Sequence, residues 1–277
     1  MVPSLSEKEF RLFRDLIKGY AGLSYSRQKL PTLQRKLGAR LAHLGLDRFI
    51  SYYRYLLRGR RGAEELRELI NTITVDQTEF FRHARQFELL ANIVLPQMER
   101  QKRDRKKLRI WSAGCATGQE AYSIAMVVNE AFGGEESWDI KILASDIDTS
   151  SLRFAQKGTY SSESIKHVPQ EYVDKYLDRG TVKGAGFYTV KQVLREVILF
   201  RRLNFTESRF PFRTPVDIVF CRNVLIYFDA ELKKRLIDRF FRILQRQGFL
   251  CLGASESLIG LDERFTLVGH STYQKTG

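Results

Sequence analysis

Leu108-Arg109-Ile110-Trp111-Ser112-Ala113-Gly114-Cys115-Ala116-Thr117-Gly118 is the stretch that decides the fold. An apolar, strand-like run ends at Ala113-Gly114, turns through Cys115-Ala116, and meets Gly118 at the head of a helical segment, Gln119–Phe132. A strand-to-helix turn this tight needs positive φ and lets a ligand approach the backbone, and glycine permits both. The amides that open a helix favour polar or anionic groups. No Lys-Ser or Lys-Thr follows Gly118, which excludes a P-loop, and the dinucleotide spacing G-x-G-x-x-G is absent. The next strand, Asp139-Ile140-Lys141-Ile142-Leu143-Ala144-Ser145-Asp146, ends in an acid placed to accept hydrogen bonds from ribose hydroxyls. A glycine loop, an acid closing the second strand and no phosphate-binding lysine together imply S-adenosylmethionine (SAM) as cofactor, with S-adenosylhomocysteine as its product.

Downstream, the rhythm is strand, turn, helix. Strands are predicted at 108–113, 139–146, 197–203, 216–221 and 247–254, with helices at 118–132, 149–157 and 229–245. Such alternation implies an α/β fold with a mostly parallel sheet covered on both faces. The tail Phe265–Lys275 has room for a closing antiparallel pair. Residues 159–195 break the rhythm. There Arg179–Gly186 followed by Phe187-Tyr188-Thr189-Val190 looks like a hairpin, so an inserted β-unit of three strands is expected.

Upstream, the pattern is helical. Ser6-Glu7-Lys8-Glu9 is a capping box, and Phe10, Phe13, Leu16 and Ile17 form an apolar stripe that Gly19 and Gly22 should end. Pro31 suits the first turn of a second helix, in which Leu30, Leu33, Leu37, Leu41 and Leu44 share a face. Lys29, Lys36 and Arg40 fall together beside that face. A third helix, capped by Asp47, runs to about Leu57, a fourth covers about Ala63–Ile73, and residues 84–101 read as another amphipathic helix. The expected organisation is a helical domain over 1–75, a linker and connecting helix over 76–107, and a cofactor-binding domain over 108–277 carrying the insertion at about 159–195.

The formal net charge is +14 over 277 residues, and residues 1–107 hold 23 Lys+Arg against 12 Asp+Glu. Between Arg27 and Arg61 stand ten basic residues and one acid, Asp47. Such a field attracts an acidic partner, though its sign alone does not choose among nucleic acid, membrane surface and acidic protein. Three cysteines (Cys115, Cys221 and Cys251) fit reduced thiols rather than a disulfide framework. The four scattered histidines lack metal-ligand spacing, so no metal is expected. Met1–Phe10 is charged and no apolar run reaches membrane-span length, so a cytoplasmic protein without membrane insertion is expected.

Four segments should converge beyond the carboxyl ends of the strands. They are Gly114–Gly118 with Glu120, Asp146 with Asp148, Asn204, and Cys221–Phe228. Together with Thr78-Glu79-Phe80-Phe81-Arg82, the runs Trp111–Ser123, Ala144–Asp148 and Phe220-Cys221-Arg222-Asn223-Val224-Leu225-Ile226-Tyr227-Phe228 closely resemble the CheR family. These are SAM-dependent methyltransferases that esterify glutamates on bacterial chemoreceptors. The resemblance implies a class I, Rossmann-like methyltransferase sheet, a small helical N-terminal domain and an inserted antiparallel β-subdomain. It makes Thr78, Arg82, Gly114, Glu120, Asp146, Asn204, Arg222 and Asn223 cofactor-binding residues and puts Arg82 and Tyr227 nearest the reacting methyl. Lys29, Lys36 and Arg40 would dock the receptor's Glu-rich helical hairpin. Departures from the family are Gln119 and Ala121 in the loop helix and Asp76, where the family usually has Asn.

In some members the β-subdomain holds a receptor's C-terminal peptide by strand addition. The Gly180–Gly186 loop is similar in length but not in residues, so tail binding stands open. A monomer is expected. Two rivals remain at this point: a nucleic-acid methyltransferase and a SAM-binding scaffold without turnover. No polar-Pro-Pro-aromatic motif follows the fourth strand and no stacking platform is evident, so no nucleic-acid partner is expected.

Overall fold

The computed structural model describes residues 3–74, 77–133, 138–182, 185–258 and 262–276. Asp76, Lys183 and Gly184 lie outside the described residues.

The chain opens with four helices, α1 (Glu7–Ala21), α2 (Leu30–His43), α3 (Phe49–Leu56) and α4 (Gly59–Ile73). The capping box forms as the sequence requires: Glu9 N donates to Ser6 Oγ, and Ser6 N donates to the Glu9 carboxylate. Gly22 ends α1 at φ +76, whereas Gly19 stays inside the helix. The N-cap of α3 is Arg48, without a side-chain bond, so Asp47 sits one position too early to cap it. Phe10, Phe13 and Ile17 of α1 pack with Leu33, Leu37 and Leu41 of α2 and with Phe49, Tyr52, Leu69 and Ile70 in one apolar core.

Lys29, Lys36 and Arg40 do not form a single exposed ridge. Arg40 turns inward to Glu65, with Nη2 2.6 Å from Oε2 and Nε 2.9 Å from Oε1, and Tyr52 donates to the same carboxylate at 2.7 Å. Lys36 donates to the carbonyls of Ile73 and Thr74 at the end of α4, where a cation suits the helix terminus. Lys29 stays exposed, 5.9 Å from the centre of the Tyr227 ring. Since the Glu65 side chain is only 6% exposed, removing its partner leaves a buried charge. Arg40→Ala is therefore expected to lower the unfolding free energy by about 3 kcal/mol in urea titrations. A loss under about 1 kcal/mol would place the pair with ordinary surface pairs.

The linker is anchored by aromatic burial. Phe80 meets Tyr160 edge-on, and Phe81 stacks on Tyr172. Phe81 and His83 both adopt left-handed backbone, at φ +54 and +61. Next come α5 (Ala84–Leu89), a π turn over Leu90–Val94, and α6 (Leu95–Lys102). The wide turn lies just before Pro96, which can donate no amide to the preceding turn.

The second domain runs β1 (Lys107–Ala113), α7 (Gln119–Phe132), β2 (Asp139–Asp146) and α8 (Thr149–Lys157). An insertion follows, consisting of β3 (Thr159–Ser161), α9 (Gln170–Tyr176), β4 (Leu177–Val182), β5 (Ala185–Val190) and α10 (Gln192–Arg195). The main sheet resumes with β6 (Ile198–Arg202), β7 (Val216–Cys221), α11 (Ala230–Ile243), β8 (Leu244–Leu252), β9 (Phe265–Gly269) and β10 (Thr272–Lys275). The order is β6-β2-β1-β7-β8-β10-β9, parallel except where β10 pairs antiparallel with β8 and β9. Every residue of β7 is buried, and all are apolar except Asp217, which accepts from the Arg109 amide at 2.7 Å and pairs with Lys102.

The insertion is a separate antiparallel sheet of order β3-β5-β4. Gly180 and Gly186 pair within it, Gly180 opposite Phe187 and Thr181 opposite Gly186, so the expected Gly180–Gly186 loop is largely strand.

Candidate active site

The strand order reverses at β1, between β2 and β7, and such a switch point opens a crevice at the strands' carboxyl ends. A cavity of about 290 Å³ lies there. Its floor comes from the loops after β1, β2, β6 and β7, and its roof from the helical domain, through Ala21, Leu23–Tyr25, Lys29, Thr32 and Lys36. The two domains are tied around it: Asn204 Nδ2 donates to Tyr20 O at 2.6 Å, and Ser24 N to Tyr227 O at 2.8 Å.

The loop after β1 takes its shape from Gly114, at φ +88, where an added Cβ would fall 2.4 Å from Val224 Cγ2. The loops following β1 and β7 can touch only because position 114 carries no side chain. Ala116 follows at φ +46 and donates its amide to Asp146 Oδ2 at 2.9 Å. The other Asp146 oxygen accepts the Asp148 amide at 2.9 Å. Burial pushes the Asp146 carboxyl up to about 6, with the amides of Asp148 and Ala116 opposing. Asp148 is spent on capping α8 and accepts from Thr74 Oγ1 at 3.3 Å.

Glu120, in the first turn of α7, accepts from Ser112 Oγ at 2.7 Å and lies 3.5 Å from Arg222 Nη1. Burial raises its carboxyl above the ordinary range, and Arg222 pulls the other way. Arg222 is itself buried; its Nη2 donates to the main-chain carbonyl of Arg82, and its guanidinium lies 5.4 Å from the centre of the Phe87 ring. Its Nε is buried without a hydrogen-bond partner among the described residues.

Thr78, Gly114, Glu120, Asp146, Asn204, Arg222, Asn223 and Tyr227 thus line one cavity, and Lys29 and Lys36 join them. Arg82 does not line it. Its guanidinium donates to Gln77 O at 3.3 Å, and its charge reaches Tyr227, where it draws down a hydroxyl that burial pushes up. Arg40 lies apart, in the helical bundle. Sequence reasoning missed the roof residues Tyr25 and Thr32, together with Gln77, for which no periodic signal exists. No histidine or cysteine lines the cavity among the described residues, and the buried Cys115 thiol is pushed well up by burial.

Comparison with known proteins places this arrangement. Residues 8–74 match the CheR methyltransferase, all-alpha domain, and residues 76–274 match the CheR methyltransferase, SAM binding domain. The chain belongs to the CheR methyltransferase family. This CheR methyltransferase is 36% identical over 271 residues to the chemotaxis protein methyltransferase of Escherichia coli (strain K12), covering 98% of this chain and 91% of that protein. It is 34% identical over 268 residues to the chemotaxis protein methyltransferase 2 of Pseudomonas aeruginosa (strain PAO1), covering 97% and 93%. It is 31% identical over 275 residues to the chemotaxis protein methyltransferase of Borreliella burgdorferi, covering 98% and 95%. The chain is accordingly a SAM-dependent methyltransferase with a class I sheet. The cavity suits that cofactor chemically: it offers the acidic side chains of Glu120 and Asp146 for hydroxyl and cationic groups and the cationic Arg222 side chain for an anionic one. No helix among the described residues is long and apolar enough to cross a membrane.

Proposed function

We propose that this CheR methyltransferase esterifies glutamate side chains of chemoreceptors in chemotactic adaptation. When bound, SAM supplies a methyl group on a cationic sulfur that is open to nucleophilic attack. The observation that carries the acceptor class is a cavity without any histidine or cysteine among its described lining residues, with a guanidinium, Arg82, at its margin. A glutamate carboxylate is already ionised at neutral pH and needs no base. Arg82 can hold such a group in forked geometry. Asp146 accepts ribose hydroxyls, Glu120, Asn204, Arg222 and Asn223 hold the remainder of the cofactor, and Thr78 closes over it. Tyr227, half-buried beside Val224, shields the reacting position from water. Catalysis on this reading is positioning, for which effective molarities are large.

Lys29, at the cavity roof, and exposed bases of the helical domain such as Arg35, Arg48 and Arg54 supply positive charge that would attract a Glu-rich receptor hairpin. The test is label transfer from methyl-labelled SAM to receptor cytoplasmic fragments, with RNA as a competing acceptor. Alkali-labile label on receptor is expected. Alkali-stable label, or label on RNA alone, overturns the proposal, and absence of label on any acceptor favours a scaffold.

A further inference from the structure

Glu256 lies four residues beyond the end of β8, buried and outside the cavity wall. Its carboxylate accepts three main-chain amides: Gly253 N at 2.7 Å and Asn223 N at 2.9 Å on Oε2, and Ile226 N at 3.3 Å on Oε1. Two of these donors belong to the loop after β7, whose Arg222, Asn223, Val224 and Tyr227 all line the cavity. Asn223 adopts φ +58, a left-handed conformation that asparagine takes up more readily than other residues with a side chain. An ionised acceptor gives stronger bonds to amides than a neutral one. Gly253 makes room for the contact: a Cβ there would fall 2.8 Å from both Asn223 N and Glu256 Oε2. On the far side, Ser24 N holds the Tyr227 carbonyl at 2.8 Å, so the loop is gripped between β8's carboxyl end and the helical domain.

We infer that Glu256 is a positioning residue for methyl transfer: its carboxylate fixes the post-β7 loop so that Arg222, Asn223 and Tyr227 face the cofactor cavity in one arrangement. The inference rests on the proposed function for its acceptor, but not for its cofactor arm. Glu256→Gln keeps the side-chain shape, yet offers one acceptor oxygen and turns an NH₂ toward an amide. In a variant that stays folded by circular dichroism, S-adenosylhomocysteine affinity by calorimetry should fall about tenfold. The kcat should fall more than tenfold while the acceptor KM moves less than threefold, a split that general loosening of the fold would not give.

Gly253→Ala pushes the carboxylate off the loop and should reproduce both effects. The double variant should be no worse than the more impaired single, because both changes break one contact. Affinity and kcat within twofold of wild type in either folded variant overturn the inference. Unfolding of both variants does so too, by making the carboxylate a scaffold element. Should the wild-type protein label no receptor, the acceptor proposal fails, while calorimetry still decides on Glu256.

Discussion

Arg82→Ala is expected to lower methyl transfer at saturating SAM by about 10³-fold, roughly 4 kcal/mol of activation free energy, while changing S-adenosylhomocysteine affinity by less than about threefold. The asymmetry follows from where the residue sits. Arg82 does not line the cavity; its main-chain carbonyl accepts from Arg222, which alanine retains, and its side chain reaches the wall through a 3.3 Å bond to the exposed Gln77 carbonyl. The segment that presents it is fixed independently of its side chain, by Phe80 on Tyr160, by Phe81 on Tyr172, and by the Phe81 amide donating to Ser123 Oγ at 3.0 Å. What alanine removes is the guanidinium, and with it the fork that would orient an incoming carboxylate. Arg82→Lys, a point charge without the fork, should fall between wild type and alanine. Single-turnover rates and calorimetry on the same preparations check this. Turnover within tenfold of wild type would remove Arg82 from acceptor positioning, and a matching loss of affinity would move it to the cofactor.

Much of the fold was legible because parallel strands buried on both faces leave strongly apolar stretches, as Val216–Cys221 does with Asp217 its one polar residue. The cavity floor was legible for a related reason: polar residues at the carboxyl end of a core strand stand out, as Asp146 does closing β2 and Arg222-Asn223 directly after β7. The basic ridge failed because a helical wheel gives a residue's direction without its neighbour. Glu65 precedes Leu69 and Ile73 at four-residue spacing, so it lies on the apolar face of α4, and a buried acid requires a cation. Arg40 answers that need. The cavity roof at Leu23–Tyr25 was illegible, since only the docking of one domain on the other makes those residues neighbours of the loops after β1 and β7. Gln119 holds the Thr117 hydroxyl at 2.8 Å, a contact within the glycine loop that its departure from the family pattern did not foretell.

Asp146→Ala should weaken SAM and S-adenosylhomocysteine binding by about 100-fold, roughly 2.7 kcal/mol, with kcat at saturating cofactor falling far less. The residue closes β2, lines the cavity and has both oxygens engaged by main-chain amides, so its position is set before any ligand arrives. A carboxylate oxygen accepts more than one hydrogen bond, which leaves capacity for ribose hydroxyls. Those hydroxyls donate, so they favour the ionised form over the acid. Burial pushes the Asp146 carboxyl up to about 6, and the sign of the pH effect follows. Above pH 7 the group is ionised and affinity should be flat. As pH falls through 6, the free protein takes up a proton that binding must expel, and affinity should drop. Asp146→Asn cannot titrate, so its weaker affinity should lose this acid limb even though Glu120, also raised by burial, remains. Calorimetry from pH 5 to 8 on the wild-type and asparagine proteins separates the outcomes. Wild-type affinity for the alanine variant would end the ribose assignment. An acid limb that survives in the asparagine variant would transfer the titration to Glu120, the other buried carboxylate on the cavity wall.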